Sequence, residues 1–184
     1  MDYAAGLELL KSQVGDERIR MHSLASAAVL RALARRLDQD EETWALAGLL
    51  HDLDYAETAD DMHRHGLVTA ELLAGRDVPG EVVSAIKAHN AENLGLTRTT
   101  PLDLALTAGE TITGLVVATT LVYPDKKLAS VKPKSVTKRM KEKAFAASVN
   151  RDHVLLCEQL GIPLPEFAAL AVEAMRQISD ELGL

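Results

Sequence analysis

The chain has 184 residues, of which 47% are hydrophobic and 26% charged, the profile of one globular domain with a core of its own. Aromatic residues are only 3%, so Ala, Leu and Val must build that core, which suits close-packed helices better than a sheet. The net charge of −7 argues against a general nucleic-acid binder, and the longest uncharged run, Thr111 to Tyr123, is too short to cross a bilayer.

In chain order, the punctuation is helical. Asp16 can cap a helix from about Glu17 to Leu37, and Gln39-Asp40 opens another through Trp44 to Leu53. A third is expected from about Asp60 to Ala74, closed by Gly75. Pro79-Gly80 starts a fourth that ends near His89-Asn90. Thr100-Pro101 is an N-cap and first-turn pair for a fifth, which runs to about Val122 and stops at Tyr123-Pro124. Its second half, TITGLVVATTLVY, is rich in β-branched residues. It still reads as helix, because the apolar run continues from LDLALTAGE without a turn signal. Beyond Pro133 the pattern predicts helix to about Leu160, and Pro163 and Pro165 introduce a last amphipathic helix to Leu182.

No secretory leader is expected at the N-terminus, where Asp2 and Glu8 occupy positions that need basic and apolar residues. One cysteine, Cys157, excludes an internal disulfide framework and reads as a small core residue. These features predict a cytoplasmic protein without a membrane partner. Eight basic residues and one acid fall between Lys126 and Lys143, so that segment carries +7 and the remainder −14. It can be a solvated face, a surface for an anionic partner, or a source of positive charge at the mouth of a site. No aromatics interleave the lysines, which argues against stacking on single-stranded nucleic acid.

Five of the six histidines precede residue 90. On helical spacing His22 aligns with Ser26, Val29 and Leu33, His51 with Trp44, Ala47 and Gly48, His65 with Thr69 and Leu72, and His89 with Val82 and Ile86. One inward histidine is ordinarily a satisfied core residue. Four on four helices are costly to bury without partners, and convergence on a divalent ion satisfies several at once. His63 lies off this face and His153 beyond the cluster, and neither is expected to take part. Adjacent His51 and Asp52, within GLLHDLDY, offer a nitrogen and an oxygen to one ion. Such a mixed set suits Mn, Fe, Ni, Co or Zn.

His22, then the His51-Asp52 pair, then a late acid resembles the HD superfamily of metal-dependent phosphohydrolases. HGLVTAELL at 65–73 and AIKAHN at 85–90 are similar to segments supplying further histidines in two-metal members. AGETITGLVVATTLVYPDKKL resembles the stretch holding the last ligand, which is normally Asp and here is Glu110. The resemblance implies an all-α HD-domain helical bundle, with a core at about 16–124 and basic and C-terminal helices at 125–184 packed on it as an extension. It implies one or two divalent transition-metal ions on His22, His51, Asp52 and Glu110. His65 and His89 would hold a second ion bridged by Asp52, or bind phosphate and shuttle a proton if only one ion binds. Asp54 can orient a histidine or be a plain helix-end acid, and Arg18, one turn before His22, can clamp phosphate or be a solvated first-turn residue.

The function so implied is hydrolysis of a phosphate ester, a nucleotide or related small molecule, by metal-activated water. The Glu110 replacement motivates an alternative, a non-catalytic module that binds a nucleotide or ion as sensor or scaffold. The lysine segment motivates a third, an RNA-directed role. Assembly into a homo-oligomer is left open.

Overall fold

Short polar side chains start the long helices. The computed structural model describes residues 1–184, all helices and turns with no strand. Helix α1 (Tyr3–Gln13) begins at Asp2, whose carboxylate accepts the Ala5 N–H at 2.8 Å. Asp16 caps α2 (Glu17–Arg36) by accepting the Arg18 N–H at 2.8 Å, and Asp40 caps α3 (Glu41–Leu50) from the Thr43 N–H at 2.7 Å. Each such cap contributes about 1 kcal/mol. Four shorter helices follow: α4 (Tyr55–Thr58), α5 (Leu67–Leu73), α6 (Gly80–His89) and α7 (Ala91–Leu94). A reciprocal capping box between Thr100 and Asp103 then opens α8 (Pro101–Leu121).

The β-branched half of α8 is helical, as its continuity predicted. Three of its threonines return their hydroxyls to carbonyls one turn back: Thr107 to Asp103 at 2.9 Å, Thr119 to Leu115 and Thr120 to Val116. These bonds satisfy hydroxyls that would otherwise be buried without partners. By length and composition α8 could cross a membrane, but 67% of its most apolar window is buried in the core.

Three expectations need correction. Residues 3–13 form a further helix, not among those expected. The helix expected over 60–74 exists only from Leu67 to Leu73, and residues 59–66 are turns. Gly66 takes φ +83, and a Cβ there would come within 2.9 Å of the Ile86 carbonyl oxygen, so the chain bends tightly at this point. The continuous helix expected over 133–160 is broken into α9 (Pro133–Arg139) and α10 (Arg151–Val154), the latter continuing as a 3-10 helix over Leu155–Leu160. Between them the backbone wraps the Arg151 guanidinium, which donates to the carbonyls of Ala146 (2.6 Å), Val149 (2.7 Å) and Phe145. Those oxygens are thereby satisfied without a helix.

Helices α11 (Leu164–Arg176) and α12 (Ser179–Leu182) complete the chain. Phe167, Val172 and Met175 of α11 are fully buried in the same apolar cluster as Leu30, Leu33, Leu106 and Ile112. Arg176 ties α11 to the segment before α9 through the carbonyls of Leu128 (3.1 Å) and Val131 (2.6 Å), and Arg36 of α2 joins the extension to the core by bonding Glu166 at 2.6 Å. Cys157 is buried in this packing, which pushes its thiol up to about 12 and suits the core role expected of it.

Helices α2 and α3 meet closely at Gly48, where a Cβ would lie 2.7–2.8 Å from the Ser26 and Ala27 backbone. Backbone on both sides cannot yield as a side-chain tip can. Gly48→Ala is expected to destabilise the protein by roughly 2 kcal/mol, read as a lower midpoint in thermal or denaturant unfolding. An unchanged midpoint would refute this account of the helix contact.

Candidate metal centre

Four histidines reach one cleft, each tethered by the nitrogen that faces away from it. The Nδ1–H of His51, at the C-terminal end of α3, donates to the Gly48 carbonyl at 2.8 Å. His89, the last residue of α6, uses Nδ1 in the same way on the Ile86 carbonyl. His65 donates from Nδ1 to Asp54 Oδ1 at 2.8 Å. His22 on α2 places Nδ1 3.0 Å from the Thr113 hydroxyl, which itself donates to the Glu110 carbonyl and so accepts from the imidazole. With all four Nδ1 atoms protonated, each Nε2 carries a bare lone pair in the neutral ring.

Those lone pairs converge. His22 Nε2 and His51 Nε2 are 3.2 Å apart, and His65 Nε2 and His89 Nε2 are 2.9 Å apart. Asp52 lies between the pairs: Oδ1 is 3.5 Å from His51 Nε2, 3.3 Å from His65 and 3.8 Å from His89, while Oδ2 is 3.7 Å from His22. Two compact ligand groups result, His22–His51–Asp52 and Asp52–His65–His89. Ligand atoms held about 2.1 Å from an ion at right angles sit about 3.0 Å from each other, so both nitrogen pairs have the separation of neighbours in a coordination shell. At the His22–His51 pair the facing lone pairs repel unless a cation lies between them, and at the second pair an ion would take the place of the proton that His65 keeps near neutrality. The donor set therefore fits a divalent transition metal of the N/O-binding kind.

Electrostatics separates the two groups. Burial and the neighbouring His51 push His22 down to about 4, and burial with His51 and His65 pushes His89 down to about 3, so neither holds a proton near neutrality. Burial would lower His65 too, but its hydrogen bonds with Asp52 and Asp54 outweigh that and raise it to about 9. Burial by itself would raise Asp52; the surrounding imidazoles instead hold its carboxyl far below the usual carboxylate range. Glu110 behaves oppositely, lifted to about 8 by burial and the charge of Asp52, against the hydrogen bond from Thr111.

Each residue singled out from the sequence can now be located. His22, His51, Asp52, His65 and His89 are together. Glu110 lies beside them, with Oε2 3.7 Å from His22 Nε2, but flanks the first group rather than completing it; its other oxygen is held by the Thr111 hydroxyl. His65 is not on a helix as expected but in the turn before α5, fixed because Asn90 Nδ2 donates to its carbonyl at 3.0 Å. Asp54 is buried and orients His65 as expected, while also accepting the N–H groups of Gly66 (2.8 Å) and Thr69 (2.9 Å). Arg18 lines the cleft mouth, with its side chain 91% exposed and paired with Asp16.

The cleft holds about 970 Å³, and its wall differs from expectation in two ways. None of the eight basic residues of 126–143 lines it, so the lysines do not supply charge at the mouth. His153, set aside from the sequence, does line it, and so do Ser148, Val149 and Asn150 of the extension. No local pattern marks His153, because only the tertiary fold of the extension brings it there. His63 is exposed, with Nδ1 2.8 Å from the Asn93 carbonyl. The role of Thr113 as the tether of His22 needs the contact between α2 and α8 to be seen.

The family model described as the HD domain matches residues 19–117, which include all six proposed ligands. No curated protein and no solved structure matches the chain.

Proposed function

The chain belongs to the HD-domain family, and on that footing we propose that it is a phosphohydrolase acting on a small phosphate ester, such as a nucleotide, with two divalent transition-metal ions. The observation that carries this reading is the convergence of four tethered imidazoles on Asp52. His22, His51 and Asp52, flanked by Glu110, would hold one ion, and Asp52, His65 and His89 the other. A divalent ion acidifies water near neutral pH and draws negative charge off a phosphoryl group.

The chain's own residues supply the rest. The tethers on Gly48, Ile86, Asp54 and Thr113 fix the imidazole rings before any ion arrives, so little ordering remains to oppose binding. The cleft volume of about 970 Å³ accommodates a small molecule, and Arg18 at the mouth offers a guanidinium to a phosphate. A non-catalytic role as a metal or nucleotide sensor is favoured by one feature only, the position of Glu110 outside the compact ligand group.

Protein purified without chelator is expected to carry about two ions per chain by elemental analysis. Supplemented with Mn, Co, Ni or Fe salts, it is expected to hydrolyse aryl phosphates or members of a nucleotide panel. Bound metal without turnover of any ester would leave the sensor reading in its place.

A further inference from the structure

The cleft has a proton donor outside both ligand groups, and it comes from the extension beyond the family-matched residues. We propose that His153 is the general acid that protonates the leaving oxygen, which makes the substrate an ester of a poorly leaving alcohol; this inference rests on the hydrolase reading above.

The chain from 142 to 149 is folded around the Arg151 guanidinium, and Arg139 stacks on Phe145 with its guanidinium carbon 4.2 Å from the ring centre. Val149 sits against Gly114, one turn beyond Glu110 on α8. This built segment carries His153 to the cleft wall. Among the lining residues His153 is the one imidazole outside the ligand groups, and Arg18 is the one lysine or arginine. An arginine does not give up its proton in a protein.

His153 is positioned by a chain of charged contacts. Its Nε2 lies 3.1 Å from Glu92 Oε1, and its side chain is 20% exposed. Glu92 is gripped on both oxygens by Arg98, at 2.7 and 2.8 Å. Arg98 in turn donates to the Thr107 hydroxyl at 2.8 Å and to the His89 carbonyl at 3.0 Å. The network therefore fixes His153 relative to the residue that carries a ligand imidazole. With Nε2–H on Glu92, Nδ1 is uncommitted and is the atom that can serve the substrate.

The step balances without further reactants. Water oxygen bonds to phosphorus as the bond from phosphorus to the alcohol oxygen breaks. The electron pair leaves on that oxygen, which takes the Nδ1 proton of His153. The proton shed by water returns through solvent to the imidazole, which Glu92 holds in place.

The test is a leaving-group series, from para-nitrophenyl phosphate to unsubstituted phenyl and para-methoxyphenyl phosphates, with manganese-loaded wild type, His153→Gln and Glu92→Gln. A general acid matters most where the leaving group is worst. His153→Gln is expected to lose about 100-fold in kcat/KM on the most basic leaving group and distinctly less on para-nitrophenyl phosphate, steepening the dependence on leaving-group basicity. Glu92→Gln, which keeps the imidazole and removes its partner, is expected to fall between. Metal content should be equal in all three. Parallel dependences in wild type and His153→Gln overturn the general-acid role and leave the hydrolase reading intact. A wild type that binds metal and cleaves neither the series nor any of a nucleotide panel overturns both.

Discussion

Asp52→Ala is expected to empty both ligand groups at once, dropping bound metal from about two ions per chain toward none and ester turnover by at least about 10³-fold. The expectation follows from sharing. Asp52 Oδ1 faces His51, His65 and His89, and Oδ2 faces His22, so no other single side chain touches both nitrogen pairs. Without the carboxylate, each group keeps two imidazoles and loses the only negative charge within its compact set. Replacing His51 or His89 should cost one group more than the other; replacing Asp52 should not discriminate. Asp52→Asn separates chemistry from packing, since it keeps the volume of a residue that is 8% exposed while removing its charge. Elemental analysis of both variants checks the claim, with circular dichroism to establish that each is folded. Two ions retained by Asp52→Asn would sink the bridging role.

Much of this centre was legible before the fold. The pair His51-Asp52 at the end of an apolar helix, and inward histidines at 22, 65 and 89, could be read from helical spacing because their stripes continue into residues that must be buried. For His22, His51 and His89 the logic held as written. For His65 the conclusion held although its premise did not: the residue sits in a turn, and Gly66 at φ +83 with Asn90 on the His65 carbonyl does what a helix was expected to do. Long-range partners were not legible. The Thr113 hydroxyl on His22, 91 residues away in sequence, and Glu92 on His153, 61 away, exist only because α8 and the extension pack where they do. Of the three roles open to the basic segment, the solvated face is the one its packing shows. Val136 and Met140 turn inward and its lysines face solvent away from the cleft wall.

Metal binding is expected to strengthen steeply with pH, by about tenfold per unit at the second group across roughly pH 6 to 8. The sign follows from which ligand holds a proton in the metal-free protein. His65 is raised to about 9, so near neutrality it is protonated, and an ion can take Nε2 only by displacing that proton. The competition weakens as pH rises and ends near 9. His89, lowered to about 3, is already neutral and adds no pH dependence in this range, and the same holds for His22 at about 4. In the first group the titrating residue is Glu110, raised to about 8, which binds as a carboxylate only after losing its own proton. Loading both groups near pH 7 should therefore release about two protons, measured by calorimetric titration in buffers of different ionisation enthalpy. Glu110→Gln should reduce the release to about one, because an amide has no proton to lose, and His65→Gln should remove the other. A Glu110→Gln protein that still releases two would show that Glu110 stays protonated beside the ion, and affinity flat across this range would overturn the assignment of His65 as a ligand.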